Sequence, residues 1–255
     1  FRQWKNGLEV ANGELIWIAE SDDFCSENFL AEQVRAFQNP AVTLSFCKTE
    51  FVTGDPAVKV WTLDDYLSDL GIADWNRAFV RSAHSLVCAG WAVKNIVPNV
   101  SGALFRHPRN LPLLNDPRWL GLRMCGDWVF YLSVIRGGLV AYTAGATNYY
   151  RQHDRSTSQT TQKMDLYYAE HEVVASYLVE FFRLDRSIID KQDAALYHHW
   201  CYQRGGSRRS EFRLLYDPER VFTKSAGRRP NVVMSVYALI AGGGETFPII
   251  LANQL

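Results

Sequence analysis

At 255 residues the chain can hold one large domain or two smaller ones, and 47% hydrophobic residues with eight Trp supply a sizeable core. Lys and Arg together number 27, as do Asp and Glu, so the net charge is zero and no basic block marks a nucleic-acid track or a polybasic membrane patch. Five scattered cysteines without a C-x-x-C pair (Cys25, Cys47, Cys88, Cys125, Cys201) point to buried thiols in a reducing cytoplasm rather than a disulfide frame or zinc site, and no apolar run has the length of a bilayer span.

Trp4, Leu8 and Val10-Ala11 recur at helical spacing, so residues 3–11 are expected to form a helix ended by Asn12-Gly13. The apolar run 15–19 follows without polar alternation. It predicts a strand buried on both faces, as in parallel sheets, with Glu20, Asp22 and Asp23 at the carboxyl end where open α/β sheets bind ligands. The same stretch also reads as a polar turn in which Ser21 or Asp22 caps a helix starting near Glu27. Phe29, Leu30, Val34 and Phe37 mark that helix, Asn39-Pro40 closes it, and VTLSFCKTEFV alternates as a strand. Between 55 and 98 the only legible element is a helix over about 83–91.

A turn at Pro98-Asn99 then leads into a strand within NIVPNVSGALFR. CGDWVFYLSVIRGG reads as a helix with Asp127 in its first turn, closed by Gly137-Gly138, and LVAYTAGATNYYRQH as a strand with an exit loop. Residues 161–204 carry two long helices interrupted near Asp185-Arg186. RGGSRRSEF and KSAGRRP read as linkers, after which residues 231–255 restart a strand, a glycine loop and a helix. With no Met at Phe1 and a helical pattern running up to Leu255, the chain is expected to be an excerpt of a longer protein.

Four blocks in order, NGELIWIAESDDFC, NIVPNVSGALFR, CGDWVFYLSVIRGG and NYYRQHDRSTS, resemble the GT-A-fold family 2 glycosyltransferases of bacteria, over residues 1–160. The resemblance implies an α/β fold: the C-terminal part of a GT-A-type mixed sheet flanked by helices, with the family's first strands preceding Phe1. A helical extension and linker over 161–227 would follow. The tail AGGGETFPIILANQL resembles the opening of a GT-B-type family 4 glycosyltransferase, making 228–255 the first βα unit of a second α/β domain; it also reads as a glycine-rich turn of an unrelated α/β domain.

The resemblance implies inverting transfer of a sugar from a nucleotide-sugar donor to a glycan or lipid-linked glycan acceptor, in the cytoplasm or peripheral to a membrane. Mg²⁺ or Mn²⁺ held by carboxylates and phosphate oxygens would neutralise the leaving diphosphate. By the family pattern Asp23 is the metal ligand and Asp22 a ligand or a partner of the donor ribose. Relatives carry Asp where this chain has Glu20, which argues against a direct role for Glu20. Inversion needs one base opposite the leaving group, and Asp127 matches it; its plain alternative is an acidic residue in a helix's first turn. His153 and Arg151 match positions near the diphosphate, Asn99 and Ser101 the acceptor side, while Arg106 reads as a surface cation. Tyr149, Tyr150, Tyr167 and Tyr168 read as packing. Two rival classes are a catalytically silent carbohydrate-binding or scaffolding domain of the same fold and a non-glycosyl nucleotidyl-handling enzyme; no early glycine-rich phosphate loop supports the latter.

Overall fold

The computed structural model describes residues 1–53, 58–70, 75–152, 165–205 and 208–225. The expectations for His153 and for 228–255 fall outside these residues. The fold is α/β: a mixed sheet flanked by helices. Its strands are β1 (Leu15–Trp17), β2 (Phe24–Cys25), β3 (Val42–Val52), β4 (Lys59–Thr62), β5 (Phe79–Ser82), β6 (Ala103–Arg106) and β7 (Leu139–Arg151). They run in the order β1-β6-β3-β7-β2, with β4 added to β3 and β5 to β7. Among the described residues only the β3 and β7 pair is parallel, and every other pairing is antiparallel.

The VTLSFCKTEFV strand is central, and nearly all of it is buried rather than alternating, because β6 and β7 flank it and helices cover it. The expectation for 15–19 is corrected in the opposite sense. Among the described residues β1 pairs only with β6, and only Ile16 is buried, so this is an edge strand and not one buried on both faces. Its apolar run reflects packing on one side and a tryptophan spent on a hydrogen bond, described below.

The β3 and β7 register contains a break. Cys47 pairs with Thr143 but Lys48 pairs with Thr147, so Ala144, Gly145 and Ala146 bulge out of β7. The bulge is tied down: Asn28 Nδ2 donates to Gly145 O at 2.8 Å, and a Cβ on Gly145 would come within 3.2 Å of Glu32. Beyond the bulge, residues 147–151 continue on β3 and also take up β2.

One face of the sheet is covered by α2 (Phe29–Ala36), whose Phe29 packs with Cys47 and Ala146. Gln33, fully buried, accepts from Ser45 Oγ and donates to Gly102 O at 3.1 Å, a polar tie through that layer. The other face packs on α6 (Gly126–Val134), where Phe130 meets Phe105 edge-on with ring centroids 5.0 Å apart, and on α4 (Ala83–Leu86) with the π-turn 87–91. The chain reaches the sheet through α1 (Arg2–Val10), and two short helices, α3 (Leu63–Leu67) and α5 (Pro117–Leu120), close its rim.

Four helices follow: α7 (Asp165–Phe182), α8 (Arg186–Arg204), α9 (Arg209–Leu215) and α10 (Pro218–Ser225). The break between α7 and α8 is where expected, with Arg183 in the left-handed region at φ 49°. The linker reading of RGGSRRSEF is corrected: residues 209–212 begin α9, Phe212 is fully buried, and Arg209 and Arg213 both pair with the buried Asp193 of α8. Tyr168, Val174, Trp200, Phe212 and Val221 belong to the same buried cluster as Phe46, Phe105 and Phe130 of the sheet layer. No helix among the described residues is long and apolar enough to cross a membrane.

Candidate functional site

Beyond β1 the chain makes a tight turn, with Asp23 N–H donating to Glu20 O at 3.2 Å. That turn is fastened to the segment 99–101. Trp17 Nε1 donates to Ser101 O at 2.8 Å, and Glu20 N–H donates to Ser101 Oγ at 3.0 Å. Ser101 Oγ in turn donates to Asp23 Oδ2 at 2.7 Å. Asn99 Nδ2 bridges the two acids, donating to Asp23 Oδ2 at 2.5 Å and to Glu20 Oε2 at 2.8 Å, while Asn99 Oδ1 accepts from Asn148 of β7 at 2.7 Å. Asp23 Oδ1 accepts from the backbone N–H of Arg151 at 3.1 Å. Asn99, Ser101 and Asn148 are all buried.

Asn99 and Ser101, assigned to the acceptor side by resemblance, thus spend their side chains on holding the acidic turn. Glu20, set aside in the sequence, shares Asn99 with Asp23 and is part of the cluster. Its carboxyl is pushed up from the ordinary carboxylate range by desolvation first, then by the charges of Asp23 and Asp22, against a lowering bond from Asn99. Asp22 is exposed on the turn beside them. The capping alternative is not realised: the N-cap of α2 is Asn28, and no side chain caps it.

Asp127 occupies the first turn of α6 and is only partly solvent-exposed. Its Oδ1 accepts from Trp128 N–H at 2.7 Å and its Oδ2 from Asn95 Nδ2 at 3.2 Å. Burial lifts its carboxyl to about 7; the backbone bond from Trp128 opposes this, and the charges of Glu20 and Glu170 add to it. Glu20 therefore feels Asp22 and Asp23 on one side and acts on Asp127 on the other, which links the two acidic stations. Such an upward shift, caused by burial plus specific like charges, is the usual mark of a proton-handling carboxylate.

Around Asp127 stand groups that the sequence did not single out. Tyr66 of α3 is raised by burial and then by Tyr167, Asp127 and Tyr150, and Tyr131 of α6 is likewise raised by burial and then by Asp127, so two phenols feel this carboxylate. Lys94 lies 4.6 Å above the Tyr66 ring and pairs with Asp69 at 3.0 Å. Asn95 is held for its task, accepting from Trp91 Nε1 at 3.1 Å. Tyr66 and Lys94 fall in the segment where no pattern was legible, and Asn95 opens the NIVPNVSGALFR block without having been singled out; the one available signal was a Lys-Asn pair just before the Pro98-Asn99 turn.

Arg151 reaches the site through its backbone, and its guanidinium lies 5.7 Å from the centroid of Phe24, itself stacked on Tyr149 at 4.8 Å. Arg106, read as a surface cation, is instead half-buried: it donates to Val42 O and Phe37 O and pairs with Glu14 at 2.7 Å. It closes the far end of β6. Among the described residues no three His, Cys, Asp or Glu side chains gather closely enough to hold a metal ion unaided. No protein-family model matches the chain, and no curated protein matches it.

Proposed function

We propose that this chain carries catalytic residues of an inverting glycosyltransferase of GT-A type, moving a sugar from a nucleotide-sugar donor to a hydroxyl of a glycan or lipid-linked glycan. The observation that carries the reading is the pairing of two unlike acidic stations: Glu20, Asp22 and Asp23 on a turn fixed by Asn99 and Ser101, and Asp127 poised at about 7 next to Glu20. A base with a pKa near the working pH is effective in removing a proton from a hydroxyl. In the reaction, Asp127 takes the acceptor hydroxyl's proton as the new bond to the anomeric carbon forms. The bond from that carbon to the diphosphate breaks and its electron pair leaves with the phosphate.

The acidic turn fits a divalent cation of the Mg²⁺ or Mn²⁺ kind. Its carboxylates are crowded enough for Asp23 and Asp22 to push up Glu20, a repulsion that a cation relieves. Mg²⁺ is commonly bound through one or two carboxylates plus phosphate oxygens, a ligand set that such a turn could share with a donor diphosphate. Asp22 and Asp23, with Glu20 beside them, would hold it. When bound, the cation supplies neutralisation of the departing diphosphate. Asn99 and Ser101 keep the Asp23 oxygens in place, and Arg151 would add positive charge near the phosphates, where by the resemblance the His153 imidazole would bind the metal or hydrogen-bond a phosphate. The catalytically silent binding domain remains the second reading, but a carboxylate raised to about 7 is an unneeded expense in a mere lectin.

The test is Asp127→Asn in the full-length protein, assayed for transfer and for donor dissociation constant with Mg²⁺ and Mn²⁺. Transfer is expected to fall by roughly 10²–10⁴-fold with donor binding little changed. A near-normal rate with normal binding would remove Asp127 from the mechanism.

A further inference from the structure

The helix that carries Asp127 begins without a cap of its own. Its N-cap residue is Cys125, which makes no side-chain capping bond. The amide groups at a helix start must nonetheless be satisfied when buried. The three amides that lead into it are held from another helix: Glu170 of α7 accepts from Arg123 N–H at 2.7 Å through Oε1, and from Met124 and the N-cap Cys125 N–H, both at 2.8 Å, through Oε2, while Trp128 N–H of the first turn goes to Asp127 Oδ1. Glu170 is buried, at 3% exposure. A carboxylate at this end of a helix is favoured by both the free amides and the helix dipole. From the other side, Trp119 Nε1 donates to Gly126 O at 2.8 Å. Asp127 is the next residue, so its backbone is held between α5 and α7.

We infer that Glu170 is a positioning residue for Asp127, acting in two ways at once. It fixes where the first turn of α6 lies, and its charge is one of those that raise Asp127. This rests on the proposed role of Asp127 as base and adds the α7 helix to the catalytic apparatus. The groups whose ionisation bears on Asp127 are Glu20 from the turn after β1, Glu170 from α7, Tyr66 from α3, Tyr131 from α6 and the N-cap Cys125; Asn95 is the uncharged partner. A misplacement of about 1 Å at a reacting group is enough to cost on the order of 10²-fold.

The experiment is Glu170→Gln in the full-length protein, alone and combined with Asp127→Asn. Gln keeps the size but offers one oxygen where three amides bind two. Alone, it is expected to slow transfer by about 10–100-fold with the donor dissociation constant unchanged, and to move the titration of Asp127, followed by ¹³C NMR of its carboxyl, to lower pH. In the Asp127→Asn background it should slow transfer no further. An unmoved Asp127 titration, or an equal slowing in both backgrounds, overturns the inference. Failure of the base reading shows up separately, as a normal rate for Asp127→Asn alone, and leaves the titration arm as the decisive measurement for Glu170. If Glu170→Gln does not fold, Glu170→Asp, which keeps the charge but reaches one methylene less, is read by the same two-background comparison.

Discussion

Asp23 accepts three hydrogen bonds, from Asn99, Ser101 and the Arg151 backbone, whereas Asp127 accepts from Asn95 and the Trp128 backbone and faces the charges of Glu20 and Glu170. Asp23 closes a turn and Asp127 opens a helix, the charge of Asp23 bears on Glu20 and that of Glu20 on Asp127, and the two aspartates differ in what surrounds them. Donors fix where the oxygens of a carboxylate point; burial and like charges set how tightly it keeps a proton. One chain thus makes a hydrogen-bonded acidic turn and a carboxylate that holds its proton up to about 7 from the same side chain.

The harshest way to break this contrast is Asp23→Ala, which leaves Asn99 and Ser101 buried without their shared acceptor. Transfer by the full-length protein is expected to fall by about 10²–10³-fold, and excess chelator should do the same to the unaltered protein. Undiminished turnover in either arm would show that the turn is not part of the chemistry. Next in size is Asn99→Ala, which unties Glu20 from Asp23 and strands Asn148 Nδ2; a loss of about 10–100-fold in rate and about 1–3 kcal/mol in urea-unfolding stability is expected. The matching change at the other station, Asn95→Ala, should cost less, because its bond to Asp127 is long at 3.2 Å. Equal losses from the two would erase the distinction.

A pH profile sharpens it. With Asp127 at about 7, the rate should climb as pH rises through that value and level off above it. Since Glu20 helps raise Asp127, Glu20→Gln should shift the rise to lower pH by less than about one unit, and a rise that stays in place would detach Glu20 from Asp127. The smallest effect is on stability. The folded pKa of Asp127 lies above its unfolded value of 3.8, so its contribution is fully present below the unfolded value and is lost as pH rises through about 7. Asp127→Asn should therefore be more stable than the parent at pH 8, by on the order of 1 kcal/mol, with the advantage shrinking at pH 5. A pH-independent difference in urea midpoint would contradict the raised pKa.

The long elements were legible because their patterns are long. VTLSFCKTEFV matches β3 end to end, the GDW helix starts where Cys125-Gly126 suggested, and the break at Asp185-Arg186 falls between α7 and α8. β4, β5 and α3, four or five residues each, are too short to show a period, and with α3 went Tyr66; Asn95 stood inside a legible block, but nothing local tied it to Asp127. Glu170 could not be told from any charge on a helix: its role depends on amides some 45 residues away. RGGSRRSEF misled because glycine and arginine read as solvent-loving, whereas Arg209 and Arg213 neutralise a buried Asp193 that no local window contains. The acidic turn itself was visible as carboxylates, but its tether through Asn99 and Ser101 joins residues nearly eighty positions apart.

The three-residue bulge in β7 divides that strand into two stretches with separate duties. Residues 139–143 lie against β5 and β3, while 147–151 bring Asn148 under Asn99 and the Arg151 amide to Asp23. Because side chains alternate between faces, losing one residue among Ala144, Gly145 and Ala146 would leave the first stretch in register and turn the second over, carrying Asn148 to the opposite side. A one-residue deletion there would therefore be felt by the tether of the acidic turn, through Asn148 and the Arg151 amide, before it is felt by the scaffold pairing of 139–143.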